Sequence, residues 1–156
     1  DDPFIASGRG SRLFDGEGLA TKKRPVFEKG VLKTYYIDTY YGKKLNMEPT
    51  SGGTTNLVFE TGDKNLEGLI ATVKKGILVT GFNGGNSNGS TGDFSFGIEG
   101  FLIENGTIKQ PVSEMNITGN MKTLWSNIGE FGNDVNDSSS WLTPSILFEG
   151  VDFSGI

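Results

Sequence analysis

The side chains that most often carry out chemistry are missing from this sequence. Its 156 residues include no His and no Cys. A zinc-activated water, a Ser-His relay and a Cys-His nucleophile each need at least one of them, so this chain cannot complete any of the three. Oxygen and amine chemistry remains, and few placements recommend it. Ser138, Ser139 and Ser140 offer hydroxyls with no imidazole to activate them. The cluster Asp134-Val135-Asn136-Asp137 lacks the twelve-residue spacing of a calcium loop and reads as a solvated loop. Glu99 and Glu104 fall near strand ends and read as surface or hairpin charges. Spacing alone picks out no glycosidase-type carboxylate pair.

The stretch 81–93 is the other candidate. It is dense in Gly, Asn and Ser. It lacks the Gly-Lys-Ser/Thr ending of a phosphate loop, and a strand follows it, so no helix N-terminus waits for an anion. A loop of this length and composition is expected to wall a cavity or a partner interface, with a plain connection as the alternative. Asn83, Gly84, Gly85, Asn86, Thr91 and Asp93 are its candidate contact residues.

Composition narrows the classes further. The formal charge is -5, from 19 acids and 14 bases. That field disfavours direct binding to a phosphate backbone. The one basic run, Lys22-Lys23-Arg24, reads as a solvated loop face, with a contact for something acidic as the alternative. Eleven Phe and 24 Gly, the latter about twice the usual share, point to a β-rich chain with many turns. No apolar stretch approaches the ~20 residues that span a bilayer. The absence of Cys fits a reducing compartment or simple avoidance, and excludes a disulfide-stabilised secreted module. The start Asp1-Asp2-Pro3, without Met, reads as a fragment or a processed product. The length suits one domain, 1–156.

The elements that must position these groups can be read in order. Residues 1–21 form an irregular lead-in, broken by Gly8, Gly10, Gly16 and Gly18. Strands 26–28 and 31–37 make a hairpin around Lys29-Gly30. Asp38 caps a short helix that reaches Leu45. Residues 56–60 read as a buried strand. Leu66, Leu69, Ile70 and Val73 repeat at helical spacing, which predicts a helix over 64–75, capped by Asp63 or Asn65 and stopped by Gly76. Residues 77–80 form a short buried strand ahead of the Gly-rich loop.

Beyond the loop, Phe94, Phe96 and Ile98 share one strand face. Asn105-Gly106 marks a type I′ turn, and residues 111–118 continue the sheet. Residues 28–33 echo 104–109, as two hairpin turns of similar chemistry or as a trace of duplication. Asn120 caps a second helix, with Leu124, Trp125, Ile128 and Phe131 on one face. Residues 145–148 and 151–153 form a last hairpin around Glu149-Gly150. Phe94, Phe96, Phe101, Trp125 and Trp141 are assigned to the core. The sum is an α+β chain, predominantly antiparallel sheet, sandwich or barrel-like, with two or three short helices.

Four segments together resemble one family. They are residues 8–18, residues 30–42, residues 91–106 with Pro111-Val112, and Gly119-Asn120 with Gly132-Asn133-Asp134. In these segments the chain is similar to the C-terminal region of the TldD/PmbA family, also called modulators of DNA gyrase. The resemblance implies a cytoplasmic metallopeptidase system for peptide proteolysis or maturation, in proteins with a further N-terminal part. It also implies that TldD-type members carry an upstream His-Glu-x-x-x-His metal motif and a C-terminal Cys ligand. PmbA-type members lack these and pair with the TldD type. Ser138, Ser139 and Ser140 stand near where that Cys would fall, so this chain resembles the PmbA type. No catalytic or metal-binding residue transfers to it, and a divalent metal, zinc, is expected in a TldD-like partner. The partner set implied is that subunit or a second copy, and a peptide substrate. A modulator acting on gyrase by protein contact, and a homodimeric scaffold without enzymatic role, are the alternatives.

Overall fold

The computed structural model describes residues 1–155. The elements begin with β1 (Phe27–Glu28), β2 (Val31–Leu32), α1 (Thr39–Leu45), β3 (Leu57–Val58) and α2 (Leu66–Thr72). Next come β4 (Lys75–Ser87), β5 (Asp93–Glu104), β6 (Thr107–Asn120), α3 (Met121–Ser126) and β7 (Ile128–Phe131). The chain ends with β8 (Trp141–Leu142), β9 (Ile146–Phe148) and β10 (Asp152–Ser154). Mixed α+β structure, mainly antiparallel and with three short helices, is the class the sequence implies. The residues divide into two compact units, 1–60 with 135–144, and 61–134 with 145–155.

The first unit has little regular structure, and polar bonds hold it. The β1–β2 hairpin is antiparallel but only two residues deep on each side, shorter than the sequence suggests. Its turn is of the expected kind: Lys29 (φ 50°) and Gly30 (φ 76°) are both left-handed. Asp38 caps α1 by accepting from the Tyr41 amide, and Asn46 closes it in the left-handed region. β3 pairs in parallel with β8 over two residues. Residues 56–60 are therefore not a buried strand, because Val58 is exposed and only Asn56 is sealed. Asn56 accepts from the Gly10 amide (2.8 Å) and donates to the Asp2 carbonyl (2.8 Å) and the Ser11 hydroxyl (2.9 Å). Asp15 organises the lead-in, accepting from the amides of Glu17, Leu19 and Gly52. Those three donors outweigh the upward push of burial and hold its carboxyl below the ordinary range.

Arg24 departs from the solvated-run reading. Its guanidinium lies 4.8 Å from the centre of the Tyr36 ring and donates to the Ser51 hydroxyl (2.8 Å) and the Thr50 carbonyl. Lys22 and Lys23 stay exposed.

The second unit is built on one four-stranded antiparallel sheet, in the order β10-β6-β5-β4. The period-2 pattern of β5 buries Phe94 and Ile98 on the same face as Phe96. They pack with Ile117, and Ile77, Val79, Met115, Leu124 and Phe153 gather around them. Gly119 stands opposite Phe94 and leaves room for its ring. Asn105 (φ 50°) and Gly106 (φ 73°) make the expected turn between β5 and β6. Asn65 caps α2. Gly76 does not stop α2; Val73 is its last cap, and Gly76 already belongs to β4. Asn120 caps α3, but that helix ends at Ser126, and Ile128 and Phe131 continue in β7.

Two further expectations are corrected. Residues 145–153 do not fold on themselves: β9 pairs with β7, and β10 pairs with β6. Phe101 and Trp125 are exposed in the second unit, and Trp141 in the first. Of the five aromatics assigned to the core only Phe94 and Phe96 reach it, their rings stacked at 6.2 Å, and Phe153 packs against them.

Candidate functional site

The Gly-rich stretch is mostly strand. β4 runs unbroken from Lys75 through Ser87, so only residues 88–92 turn. Gly and Asn are poor strand formers, yet β5 presents a long ladder for them to join. Gly85 pairs with Phe96, Asn86 with Ser95 and Ser87 with Phe94. The register slips between Phe82 and Gly85, which marks a bulge at Asn83-Gly84. Gly84 (φ 70°) and Gly85 (φ 118°) both need the left-handed region. A side chain at Gly85 would also meet the Ser95 carbonyl and Phe96.

Four of the candidate residues, Asn83, Gly84, Gly85 and Asn86, therefore lie on a strand that closes one side of the sheet. All four are exposed. β4 has a sheet partner on one side only, so its outer edge pairs with no strand among the described residues. Asn83 makes one long side-chain bond, donating to Glu99 at 3.4 Å. Phe82 beside it is 64% exposed and meets Phe96 edge-on at 5.7 Å.

Thr91 and Asp93 are placed differently. They belong to a locked turn at the end of the β4–β5 hairpin. Asn88 accepts from the amides of Ser90 and Thr91, and Thr91 donates to Asp93 at 2.7 Å. Asn120 donates to Asp93 and to the Thr91 carbonyl, both at 2.9 Å. These bonds, from Asn120 first and then Thr91, hold the Asp93 carboxyl below the ordinary range. The turn serves to fix the hairpin to the start of α3.

Sequence reasoning missed a second feature of this unit. An apolar cleft of about 1,280 Å³ runs between the sheet and the α2, β7 and β9 elements. Leu69, Val73, Ile77, Phe82, Met115 and Phe148 are among its lining residues. Lys64 and Glu130 sit on its wall as an ion pair, with Nζ 2.7 and 2.9 Å from the two carboxylate oxygens. Of the candidate stretch only Phe82 reaches the cleft. Its signal was present in the apolar period of α2, but the pairing of β9 with β7, which builds the far wall, leaves no local trace.

The remaining polar candidates have structural work. Asp134 accepts from the Ser145 hydroxyl (2.6 Å) and amide (3.2 Å). Burial pushes its carboxyl up, but these bonds win and lower it. Ser138 donates to Asn136, and Ser139 to the Trp141 carbonyl. Among the described residues no three carboxylates gather where a metal could sit.

The whole described chain, residues 1–155, matches the family model of the PmbA/TldA metallopeptidase C-terminal domain. The chain belongs to the PmbA/TldD metallopeptidase family. A crystal structure from Bacteroides thetaiotaomicron, described as a modulator of DNA gyrase, superposes with a TM-score of 0.97 at 63% identity, over 100% of this chain and 36% of that one. A metalloprotease PmbA homolog of Buchnera aphidicola is 38% identical over 157 residues, 99% of this chain and 35% of that protein. A zinc metalloprotease TldD homolog of Saccharolobus solfataricus is 29% identical over 141 residues, 82% of this chain and 32% of that protein. The chain thus spans about a third of the length of these relatives. The PmbA/TldD family includes zinc enzymes, but zinc does not fit this domain's own residues, which supply no imidazole, no thiolate and no gathered carboxylates among those described.

No helix among the described residues is long and apolar enough to cross a membrane.

Proposed function

We propose that this chain is the non-catalytic C-terminal domain of a PmbA-type peptidase subunit that works in the cytoplasm. It acts in peptide proteolysis or maturation by associating with a metal-bearing TldD-like subunit and by forming part of the wall that holds the peptide. The observation that carries this reading is the outer edge of β4. Exposed main chain at Asn83–Asn86, beside the apolar Phe82, suits a strand added from a peptide or a partner: backbone bonds give affinity without demanding a sequence. Lys side chains on such an edge block pairing. The test is Asn83→Lys with Asn86→Lys in the subunit, assayed with its zinc-loaded partner. Peptide turnover or subunit association should drop by at least about tenfold, or ~1.4 kcal/mol, with circular dichroism unchanged. Undiminished association and turnover would remove the role of this edge.

A second reading follows from the solved relative described as a modulator of DNA gyrase. Contact with gyrase would be through protein surfaces, since the chain's net charge of -5 opposes contact with DNA. A supercoiling assay with added purified protein decides it; no change in the rate or extent of supercoiling leaves the peptidase reading alone.

A further inference from the structure

Helix α1 has almost no packing of its own. It is seven residues long, and only Gly42 is buried, against Pro49 and the Met47 carbonyl. Tyr40, Tyr41, Leu45 and the following Met47 are 63%, 51%, 58% and 46% exposed. Helices shorter than ~12 residues are marginal in water and draw their stability from an apolar face packed on something else. The two tyrosine rings meet edge-on at 5.2 Å, with the Lys44 ammonium 5.8 and 6.0 Å from their centres, so the patch carries positive charge at its edge.

The surface area makes the same point for the chain as a whole. It exposes 10,440 Å². A globule of 16.8 kDa exposes about 7,600 Å², and two separate globules dividing that mass as the two units do expose about 9,200 Å² together. The surplus is at least roughly 1,200 Å² over the whole chain, and the α1 face is one part of it, as are exposed side chains such as Phe14, Phe27 and Phe82.

We propose that the α1 face, Tyr40, Tyr41, Leu45 and Met47, is a permanent docking surface for the polypeptide that precedes this domain in the longer family members. Two observations select a covalently linked occupant over a second copy. About two thirds of those relatives' length lies outside the matched region, enough for a further domain. A helix that is marginal when uncovered is also best served by a cover present whenever the domain is folded. A tethered segment meets that need at millimolar effective concentration, whereas a dissociable copy is diluted away. Lys43 and Lys44 at the rim favour carboxylates on the covering segment.

Amide hydrogen exchange and lysine acetylation, run on this 156-residue chain and on the parent protein with its upstream region, test the proposal. In the parent the amides of residues 41–46 should exchange at least about 100-fold more slowly than in the short chain. Lys43 and Lys44 should also lose acetylation relative to Lys29, and neither effect should depend on protein concentration. Leu45→Asp should be silent in the short chain, as a surface change is, and should abolish the added protection in the parent. If that variant fails to fold in the parent, the wild-type comparison still decides. Equal exchange in both proteins overturns the proposal. So does protection that appears in the short chain and grows with concentration, which would assign the face to a second copy. This inference does not rest on the peptidase reading, and an unprotected α1 would leave the β4 edge untouched.

Discussion

Asn56 shows how single polar side chains hold the first unit. It is fully buried, and its amide meets one backbone donor, one backbone carbonyl and one hydroxyl. Asn56→Ala leaves the Gly10 amide and the Asp2 carbonyl without their side-chain partner. Each unsatisfied buried group costs about 1–3 kcal/mol, so the variant should lose about 2–4 kcal/mol in urea denaturation; a loss under ~0.5 kcal/mol would show that the bonds are replaced by water. Asp15 contributes to the acid response of the same unit, as does Asp2, which the Lys23 ammonium holds low. The folded-state pKa of Asp15 lies below the ordinary value, so the stability it contributes is present above about pH 4 and is lost as pH falls through the folded value. Asp15→Asn should flatten the decline of the unfolding midpoint between about pH 4 and pH 2 and leave its shape near neutrality unchanged. An identical acid limb in wild type and variant would place the titrating group elsewhere.

At the scale of elements, the β4–β5 hairpin decides what was legible in the sequence. The turns at Lys29-Gly30 and Asn105-Gly106, the caps Asp38, Asn65 and Asn120, and the alternation in β5 were all readable, because each is fixed by residues within a few positions. Residues 81–87 were not. Their composition argues for a loop, and only the ladder offered by the Phe94–Glu99 segment of β5 overrides it. The partnering of β9 with β7 and of β10 with β6 was hidden for the same reason: both are long-range choices, while the intervening Glu149-Gly150 imitates a hairpin. Glycine variants separate the two states of the stretch. Gly85→Ala forces a Cβ onto the Ser95 carbonyl at φ 118° and should cost about 2–4 kcal/mol. Gly89→Ala, in open space without positive φ, should be neutral or stabilise by up to about 1 kcal/mol. Equal, small effects at both positions in thermal unfolding would mean that β4 stops before Gly85.

Across the whole molecule, charge and ligand supply divide unevenly between the units. The first carries nine acids and nine bases, and the second ten acids and five bases. The net negative charge therefore resides in the unit that bears the β4 edge, the wrong sign for a nucleic-acid face and a favourable one for a cationic peptide or partner. Acidity is not metal binding, however. A hydrolytic zinc needs three protein ligands in one place plus an open position for water. The best-held carboxylates here are already spent: Asp15 on three amides, Asp93 on Thr91 and Asn120, Asp134 on Ser145. Turning any of them to a cation would break the turn it closes. Calorimetric titration of this chain with zinc at pH 7 should therefore show no stoichiometric uptake with Kd below about 10 µM, equivalent to about -7 kcal/mol. Peptide hydrolysis by the chain alone should stay at the level of buffer. Under the proposed pairing, activity should instead belong to the parent protein together with its TldD-like subunit, and a chelator applied to that subunit should abolish it. A 1:1 zinc stoichiometry in the isolated chain, accompanied by cleavage, would instead require that oxygen ligands assemble a site that none of these turns can spare.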